Sequence, residues 1–376
     1  MNKPQSLYIG LMSGTSLDGI DAVLAKIEAS GETFLLDSAS IAFSPELRKA
    51  LLDLQTPGPN EIHRENQAGN SLAAAYADAV KQLLSQAKLS PADISAIGAH
   101  GQTIRHQADL AHHLAYTHQT LNPALLAELT GIDVIADFRS RDVAAGGHGA
   151  PLVPAFHAQQ FASTENIAIV NIGGIANLTL LPKDDEVTGF DCGPGNMLMD
   201  AWIFEQQGNR YDKDGAWALE GKVNDALLSK LLNDPFFSQP PPKSTGRDNF
   251  HLSWLLDKLG DENDLAENVQ ATLLHLRAHS ILEALAHYAP QTQKLIVCGG
   301  GAKNKALMNL LETKKADFFK HTLQVISSDS VGIDPQLVEG LAFAWLAWAH
   351  KEKRPANLPA VTGAKGPRIL GAYYPA

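Results

Sequence analysis

Short apolar segments alternate along the chain with longer segments that have the 3.6-residue period of helices. The short segments predict buried strands at residues 94–99, 134–136 and 294–297, and the longer ones predict helices at residues 60–89, 265–289 and 337–350. Ser44 with Pro45, and Asn122 with Pro123, are typical of helix starts, and Gly131 is typical of a helix end. Strands that alternate with helices predict an α/β fold, in which ligands bind beyond the carboxyl ends of the strands.

The first stretch of the chain has the pattern of a strand, a small polar bend and a second strand. Residues 8–11 are apolar, residues 13–15 form the bend, and Asp18 with Gly19 gives a hairpin signal before residues 20–24. A Walker-type phosphate loop would need a lysine and a following helix, and this stretch has neither. Its backbone N–H groups and hydroxyls could bind phosphate; an ordinary hairpin that closes a sheet is the alternative.

The same pattern returns in the second half of the chain. Residues 167–172 and 175–180 predict two strands around a turn at Gly173 and Gly174. Each hairpin stands at the head of an α/β stretch, so the chain is predicted to be internally duplicated. Two facing glycine hairpins can hold a polyphosphate from opposite sides.

Asp191 follows a predicted strand and precedes a predicted helix. We predict that it lies on a sharp strand-to-helix bend, with its carboxylate beside the N-terminus of the helix. It is either a functional carboxylate or a helix-capping residue. Gly299, Gly300 and Gly301 end a later strand, where glycine lets the backbone approach a flat ligand and the next helix N-terminus favours its phosphates.

Two loops carry polar groups whose role the sequence leaves open. Residues 140–154 combine glycine with Arg, Asp and His directly after a strand, which favours a site loop over a plain linker. Residues 240–248 are stiffened by proline and carry a Lys, an Arg and two hydroxyls, so they form either a surface loop or an arm that contacts an anion. Glu339 precedes Gly340 in the last long helix, and this glycine would let the helix pack closely.

Composition narrows the classes of protein. With 376 residues the chain can form two domains, and 45% hydrophobic with 19% charged residues is typical of a soluble globular protein. A net charge of -11 argues against a nucleic-acid partner. Cys192 and Cys298 are too few for a disulfide framework or a Cys-based zinc site. Because no apolar run has membrane length and no leader follows Met1, we expect a cytoplasmic protein with no membrane partner.

Six motifs resemble those of the anhydro-N-acetylmuramic acid kinase family, whose ATPase fold is shared by sugar kinases, actin and heat-shock chaperones. They are MSGTSLDG at residues 12–19, GHGAP at 147–151, NIGGIAN at 171–177, FDCGPGN at 190–196, KSTGR at 243–247 and CGGGAKN at 298–304. The resemblance covers nearly the whole chain, and the first and fourth motifs are highly specific. Cys192 stands where threonine is frequent in the family, and a small side chain beside Asp191 is kept.

The resemblance implies an α/β fold of two duplicated RNase H-like domains, the actin-like ATPase fold, around a central nucleotide cleft. The N-terminal domain would comprise residues 1–135 plus 355–376. The C-terminal domain, residues 136–354, would carry the catalytic aspartate and the adenosine site.

The resemblance also implies the reaction. ATP and Mg²⁺ would serve to open 1,6-anhydro-N-acetylmuramic acid with water and to phosphorylate the freed O6, giving N-acetylmuramic acid 6-phosphate and ADP in peptidoglycan recycling. Opening a glycosidic ether normally takes two carboxylates, one as base and one as acid. If phosphorus captures the leaving oxygen, one base is enough, and Asp191 matches the family's catalytic aspartate.

The other site residues follow from the same resemblance. The nucleotide would be bound by Gly14, Thr15, Ser16, Leu17, Asp18, Gly19, Ile20, Asp21, Asn171, Gly173, Gly174, Gly299, Gly300, Gly301 and Lys303. Asp18 would also order the water shell of the metal. Arg139 and His148 are expected to bind the sugar, and Glu339 could bind it, assist Asp191, help order the metal or be purely structural. The expected partner is this small sugar, with a homodimer left open.

Two other functions remain open from the sequence. A plain sugar kinase of the same fold would phosphorylate an intact hydroxyl, which Asp191 would deprotonate. A nucleotide switch of the actin or chaperone kind would bind ATP without acting on a sugar.

Overall fold

The computed structural model describes residues 6–14, 17, 19–108, 110–111, 113–246, 249–260 and 264–376. The strands are β1 (Ser6–Met12), β2 (Gly19–Ile27), β3 (Thr33–Ala42), β4 (Ile94–Ala99), β5 (Gln102–Gln107), β6 (Tyr116–Thr120), β7 (Val134–Ala136), β8 (Ile167–Ile172), β9 (Ile175–Leu181), β10 (Thr188–Pro194), β11 (Lys294–Cys298), β12 (Gln324–Ser327) and β13 (Ala372–Tyr374).

The helices are α1 (Pro45–Asp53), α2 (Glu61–Ala87), α3 (Pro123–Thr130), α4 (Ser140–Ala144), α5 (Val153–Phe161), α6 (Met197–Gln207), α7 (Asp225–Leu232), α8 (Pro235–Ser238), α9 (Leu252–Leu259), α10 (Ala266–Tyr288), α11 (Lys305–Phe318), α12 (Val338–Lys351) and α13 (Pro359–Thr362). Short 3₁₀ helices lie at Pro91–Asp93, Lys213–Gly215, Gly300–Lys303 and Ser328–Val331. The helix-start signals at Ser44 and Asn122 are confirmed, since each side chain accepts a hydrogen bond from the backbone N–H three residues later.

The chain forms two compact units, Met1–Gln160 with Leu337–Ala376, and Phe161–Gln336. The limits expected from the sequence place residues 136–160 and 337–354 in the C-terminal domain, whereas these compact units group them with the N-terminal sheet. Two glycines of the first sheet explain why α12 packs against that sheet. A Cβ at Gly10 of β1 would overlap the carbonyl oxygen of Gly340, and one at Gly98 of β4 would overlap that of Phe343. The helix backbone therefore lies directly on the first sheet, and the close packing expected at Gly340 is confirmed.

The first unit is built on a sheet of strand order β13-β7-β4-β1-β2-β3. β1, β2 and β3 are antiparallel neighbours, and β4 and β7 continue the sheet in parallel. β13 then pairs antiparallel with β7. The core between this sheet and α2 contains buried aliphatic side chains of both, such as Ile9, Leu72 and Leu83.

The second unit has a sheet of strand order β10-β9-β8-β11-β12. β8, β9 and β10 are antiparallel neighbours, and β11 and β12 are parallel to β8. Counted along each unit, both sheets therefore place their first five principal strands in the order 3-2-1-4-5, with the same directions. This repeat confirms the predicted duplication of an RNase H-like α/β fold.

Two features differ from the sequence interpretation. β5 and β6 form a separate antiparallel pair that the hydrophobic pattern did not predict. Ile104 is the one apolar residue in β5, so the strand lacks the apolar alternation from which strands are inferred. Residues 140–144, expected in a loop or linker, form the short helix α4. Among the described residues, no helix has the length and apolar character needed to cross a membrane.

Candidate active site

Three polar side chains form a row across the second sheet. Asn171 of β8 lies opposite Asn177 of β9, and Asn177 lies opposite Asp191 of β10. Side chains of directly opposed residues project from the same face of an antiparallel sheet. Asn171 and Asn177 are the last pair but one before the turn at Gly173 and Gly174. The register therefore places the carboxylate of Asp191 in one row with two amides, close to this glycine turn.

The position of Asp191 corrects the sequence interpretation, which placed it on the bend before a helix. It lies inside β10, and the strand continues through Pro194 before α6 begins at Met197. The pairing with β9 shifts between Asp191 and Gly193, so Cys192 is the extra residue of a β-bulge. Cys192 is buried, and its Sγ donates to the carbonyl oxygen of Ala176. Asp191 is thus held by a sheet on one side and is not a helix-capping residue.

The carboxylate of Asp191 is buried and held through one oxygen. Its Oδ2 accepts hydrogen bonds from Ser244 Oγ and from the backbone N–H of Thr245, both at 2.9 Å. Only 8% of the residue is exposed. Burial raises the pKa of Asp191 to about 6. The hydrogen bonds from Thr245 and Ser244, and the positive charge of the nearby Lys243, oppose this rise. A carboxyl group with this pKa is ionised at neutral pH and basic enough to accept a proton.

Lys243 and its neighbours form the wall beside Asp191. The backbone N–H of Asp191 donates to the carbonyl oxygen of Lys243 at 3.1 Å. The Lys243 ammonium donates to the carbonyl oxygens of Phe236 and Phe237 and lies 4.6 Å from the ring centroid of Phe236. Burial lowers the pKa of Lys243, while Cys192 and Asp191 raise it. The Lys-Ser-Thr run seen in the sequence therefore positions the aspartate; Arg247, which follows it, lies outside the described residues.

The glycine turn of the second unit is tied to the start of α6. The backbone N–H groups of Gly195 and Met197 donate to the Gly174 carbonyl, and that of Asn196 donates to the Gly173 carbonyl. A Cβ at Gly195 would overlap the Gly173 carbonyl oxygen, so only glycine allows this approach. A Cβ at Gly173 would meet only the Ile175 carbonyl oxygen, at 3.8 Å. The turn is therefore held by hydrogen bonds from the residues at the start of α6, and the missing side chain of Gly173 leaves room for a ligand.

The triple glycine packs on the end of β8. Gly299 has a φ of +77°, and a Cβ there would overlap Asn171 Oδ1. Gly301 packs against the side chain of Ile172 in the same way. Together with Asn171, Gly173 and Gly174, the predicted residues Gly299, Gly300 and Gly301 thus lie in one region of the second unit.

Lys303 is the exception among the predicted nucleotide residues of this unit. Its ammonium donates to Gln336 Oε1 at 2.5 Å and lies 3.7 Å from Asp334 Oδ1, and about half of its side chain is exposed. Any contact with a nucleotide would have to compete with these two partners.

The first hairpin is described in part. Of its predicted nucleotide residues, Thr15, Ser16 and Asp18 lie outside the described residues. Leu17 and Ile20 are buried in the core of the first unit, so they could contact a ligand only through their backbone. The N–H of Leu17 donates to the Gly14 carbonyl, and a Cβ at Gly19 would overlap the Ile41 carbonyl oxygen. Asp21 is half-buried opposite Met12 and Ser40, and its Oδ1 accepts from Ser40 Oγ at 2.6 Å.

Arg139 is held in the first unit by a neutral histidine. Its Nε and Nη2 lie 3.1 and 3.0 Å from His100 Nε2, and its Nη1 donates to the Gly149 carbonyl at 2.8 Å. His100 Nδ1 lies 2.8 Å from the Gly101 carbonyl and must donate to it, which leaves Nε2 as the acceptor. Burial, then the Arg139 charge, lowers the pKa of His100 to about 3. The charge of Glu339 raises the pKa of Arg139 against its burial, so these two predicted sugar residues are neighbours.

The loop that carries His148 depends on the buried carboxylate of Asp142. Asp142 Oδ2 accepts from the N–H of Gly149 at 2.8 Å, and its Oδ1 accepts from Asn357 Nδ2 and Thr362 Oγ1. The N–H of His148 donates to the Thr362 carbonyl at 2.7 Å. The structure therefore brings Arg139, Glu339 and the His148 loop together. The sequence analysis assigned no role to His100 or Asp142, although Asp142 lies in the polar loop at residues 140–154 and His100 directly follows the strand predicted at residues 94–99.

No cluster of three or more His, Cys, Asp or Glu side chains that could hold a metal ion occurs in the part of the chain that the structure describes. Cys192 and Cys298 are both buried and are not joined in a disulfide.

A duplicated RNase H-like fold with two glycine hairpins, one of them beside a buried carboxylate, is the architecture of the actin-like ATPase class. The anhydro-N-acetylmuramic acid kinase family model matches residues 6–376. The anhydro-N-acetylmuramic acid kinase of Ralstonia nicotianae is 53% identical over 98% of this chain and 97% of its own length. That of Pseudomonas paraeruginosa is also 53% identical, over 98% and 99%. The chain belongs to the anhydro-N-acetylmuramic acid kinase family, and it is an enzyme, a kinase.

Solved structures resemble the chain more distantly. A ROK family glucokinase from Streptomyces griseus, determined in complex with glucose and AMPPNP, is 13% identical with a TM-score of 0.40, over 90% of this chain and 98% of that chain. The ethanolamine utilization protein EutJ from Carboxydothermus hydrogenoformans is also 13% identical with a TM-score of 0.40, over 92% and 90%.

Proposed function

We propose that this kinase uses ATP and water to convert 1,6-anhydro-N-acetylmuramic acid into N-acetylmuramic acid 6-phosphate and ADP, in peptidoglycan recycling. The observation that carries the proposal is Asp191, whose carboxylate is buried and held at Oδ2 by Ser244 and Thr245. Its pKa of about 6 suits a base that works at neutral pH. Family membership supplies the substrate, because the two relatives above are named for it.

The chemistry needs one base and no separate acid. Asp191 accepts a proton from water, whose oxygen forms a bond to the anomeric carbon C1 on the face opposite the bridge. The C1–O6 bond breaks, O6 bonds to the γ-phosphorus, and the bond from that phosphorus to the β-phosphate oxygen breaks to release ADP. Since the phosphoryl group captures O6, the protonated carboxyl group that glycosidases use is not required. The configuration at C1 is inverted.

ATP is proposed to contact the two glycine hairpins and the triple glycine. In the second unit, a Cβ at Gly173 or at Gly300 would make only ordinary van der Waals contacts, since the nearest atoms to these two Cβ positions are 3.8 and 3.6 Å away. Such positions let phosphate or adenosine approach the backbone. In the first unit, Gly14 and Gly19 stand on either side of the predicted residues Thr15 and Ser16, which lie outside the described residues.

Mg²⁺ is proposed as the metal, and one described carboxylate suits it. Mg²⁺ binds to one or two carboxylates and to substrate phosphates while it keeps several waters. Asp18, which the sequence analysis expects to order the water shell of the metal, lies outside the described residues, and Asp21, half-buried in the first hairpin, is proposed to supply one such carboxylate. When bound with ATP, the metal would neutralise charge on the phosphates.

The sugar is proposed to be bound by Arg139, His148 and Glu339. The guanidinium of Arg139 is oriented by His100 at Nε and Nη2 and by Gly149 at Nη1, and the remaining N–H groups of Nη1 and Nη2 are donors suited to a carboxylate such as that of the lactyl group. Glu339 is an acceptor suited to sugar hydroxyls. Removal of a charge-assisted hydrogen bond typically costs about 1.5–3 kcal/mol, so Arg139→Met should raise KM for the anhydro sugar by about 10- to 10²-fold.

Oxygen-18 water distinguishes the proposed reaction from a plain kinase reaction. The purified chain is incubated with ATP, Mg²⁺ and the anhydro sugar in labelled water, and the product is analysed by mass spectrometry and NMR. One labelled oxygen at C1 with phosphate on O6 is the expected result. A phosphorylated product without label at C1 would show that an intact hydroxyl is the acceptor, and ATP binding without a phosphorylated sugar would support a nucleotide switch.

A further inference from the structure

A buried arginine in the second unit has no role in the proposed reaction so far. Arg277 lies in α10 and is 1% exposed. Its Nη1 donates to Asn196 Oδ1 at 2.5 Å, whereas its Nε and Nη2 are buried and have no hydrogen-bond partner among the described residues. Burying a guanidinium with two unpaired donors costs several kcal/mol. A cation kept under these conditions needs an explanation beyond packing.

Asn196 stands where the predicted nucleotide segments of this unit meet. Its backbone N–H donates to the Gly173 carbonyl at 2.8 Å, and its Nδ2 donates to the Ile172 carbonyl at 3.3 Å. The same Nδ2 would lie 3.6 Å from a Cβ at Gly300. One side chain therefore touches the strand end before the glycine turn and faces the triple glycine.

The side chain of Asn196 is not used for the helix that it precedes. Asn196 is the N-cap of α6, a position at which asparagine usually accepts a hydrogen bond from the helix, but no such bond is formed. An amide can point either way, and its oxygen facing the Ile172 carbonyl would be repelled. Because Arg277 is a donor only, it fixes Oδ1 towards itself and Nδ2 towards the glycine segments.

Arg277 is itself firmly placed and charged. Three residues along α10, Ser280 packs against Gly193, where a Cβ would lie 3.1 Å from Ser280 Oγ. Because Gly193 has no side chain, α10 packs closely against β10 at this point. Burial lowers the pKa of Arg277 to about 10, and the charges of Asp200 and Asp212 oppose that fall, so the guanidinium remains protonated at neutral pH.

We propose that Arg277 is a positioning residue for the nucleotide, which acts by holding the side-chain amide of Asn196 against the Ile172 carbonyl, directly before the Gly173–Gly174 turn, and towards the triple glycine. The inference rests on the proposed function for the role of these glycines. It names a residue outside every motif that the sequence analysis used, 81 positions from its partner.

The test uses the full-length chain with the substitutions Arg277→Met, Asn196→Ala and both together. A hydrogen bond to a charged group contributes about 1.5–3 kcal/mol, so Arg277→Met should weaken ADP binding in calorimetry by about 10- to 10²-fold. KM for ATP should rise by a similar factor, while kcat at saturating ATP and KM for the sugar change less than about 3-fold. Arg277→Lys, which keeps one donor, should restore part of the affinity.

Two comparisons separate positioning from a merely structural role. Gln270→Met is the matched control, since Gln270 is a buried polar residue of the same helix with an unpaired oxygen, and its Nε2 donates to Asp212 Oδ2 rather than to Asn196. It should leave ADP affinity unchanged. If Arg277 acts through Asn196, the double variant should bind ADP no more weakly than Asn196→Ala alone.

Effects that multiply in the double variant, an equal loss in Gln270→Met, or a lower Tm with unchanged ADP affinity would each overturn the proposal. The ADP measurement needs no sugar. If the unsubstituted chain showed no activity on the anhydro sugar, the proposed function would be contradicted, but the ADP-binding test of Arg277 would still be valid.

Discussion

The two units share one strand order but differ in the row of residues beside their hairpins. In the first unit the row is Met12, Asp21 and Ser40, with the carboxylate on the middle strand. Ser40 is exposed, and Asp21 is half-buried. In the second unit the row is Asn171, Asn177 and Asp191, with the carboxylate on the outer strand.

The difference arises from what covers the outer strand. Residues 243–245 lie against β10, where Lys243 accepts from the Asp191 N–H and Ser244 and Thr245 donate to its carboxylate. β3, in contrast, exposes every other residue at its hairpin end. Duplication therefore gives two similar scaffolds, and one covering loop buries the carboxylate of the second, while that of the first stays half-buried.

The largest expected effect separates the two carboxylates by their kinetics. Asp191→Asn should lower kcat at least ~10²-fold, as expected for a general base, with little change in KM for ATP. Asp21→Asn should mainly raise KM for ATP. Asp234→Asn, which retains an N-cap at α8, serves as the folding control. Steady-state kinetics with both substrates varied would contradict the assignment if Asp21→Asn reduced kcat as strongly as Asp191→Asn.

Asp191→Asn should increase the stability of the folded chain at alkaline pH, although it lowers the activity. Because burial raises the pKa of Asp191 to about 6, the folded state binds this proton more tightly than the unfolded state, and stability is lost as pH rises from about 4 through 6. Since one pKa unit corresponds to about 1.4 kcal/mol, the ionised group costs on the order of 3 kcal/mol at pH 7–8. Asp191→Asn should therefore raise Tm at pH 8 and leave it nearly unchanged at pH 4, measured by calorimetry. An equal Tm difference at both pH values would argue against this cause.

Glycine substitutions should test whether both hairpins depend on close backbone contact. A Cβ at Gly195 would overlap the Gly173 carbonyl oxygen, and one at Gly19 would overlap that of Ile41. Gly195→Ala and Gly19→Ala should each reduce the free energy of unfolding by about 1–3 kcal/mol. Gly366→Ala meets only the end of the Arg368 side chain and should be nearly neutral. Urea unfolding measures all three; a neutral Gly195→Ala would mean that α6 does not fix the turn.

The smallest effects should come from the serines that donate to the two carboxylates. Ser244 lowers the pKa of Asp191, so Ser244→Ala should shift the acid limb of the kcat/KM profile to higher pH and reduce activity a few-fold at pH 6–7. Ser244→Thr, which keeps the hydroxyl, should restore the profile. Ser40→Ala removes an exposed hydrogen bond and should change stability by less than about 0.5 kcal/mol. An unshifted acid limb in Ser244→Ala would exclude Asp191 as the group that sets it.

Much of the fold could be inferred from local signals. Helix ends at Ser44, Asn122 and Gly131 depend on neighbouring residues, and the two glycine hairpins repeat a local pattern, so each was visible in the sequence. β13 was not, because so short a strand owes its conformation to a partner strand far along the chain. β5 was not either, because it is mostly polar and lacks apolar alternation, although its partner β6 follows soon after it. The prediction that the strand ends at Asp191 was wrong, because β10 continues through Pro194. Its β-bulge at Cys192 is defined only by the register of two strands, which the sequence does not show.

The sequence by itself determined the family and the duplication and singled out Asp191 as the candidate base, because motif spacing and hydrophobic period are properties of neighbouring residues. Tertiary structure alone decided which groups set the chemistry of that carboxylate. Ser244 and Thr245 lie 53 and 54 positions from Asp191, His100 lies 39 positions from Arg139, and Arg277 lies 81 positions from Asn196. Burial and hydrogen bonding depend on distance in space, and no local pattern encodes these contacts.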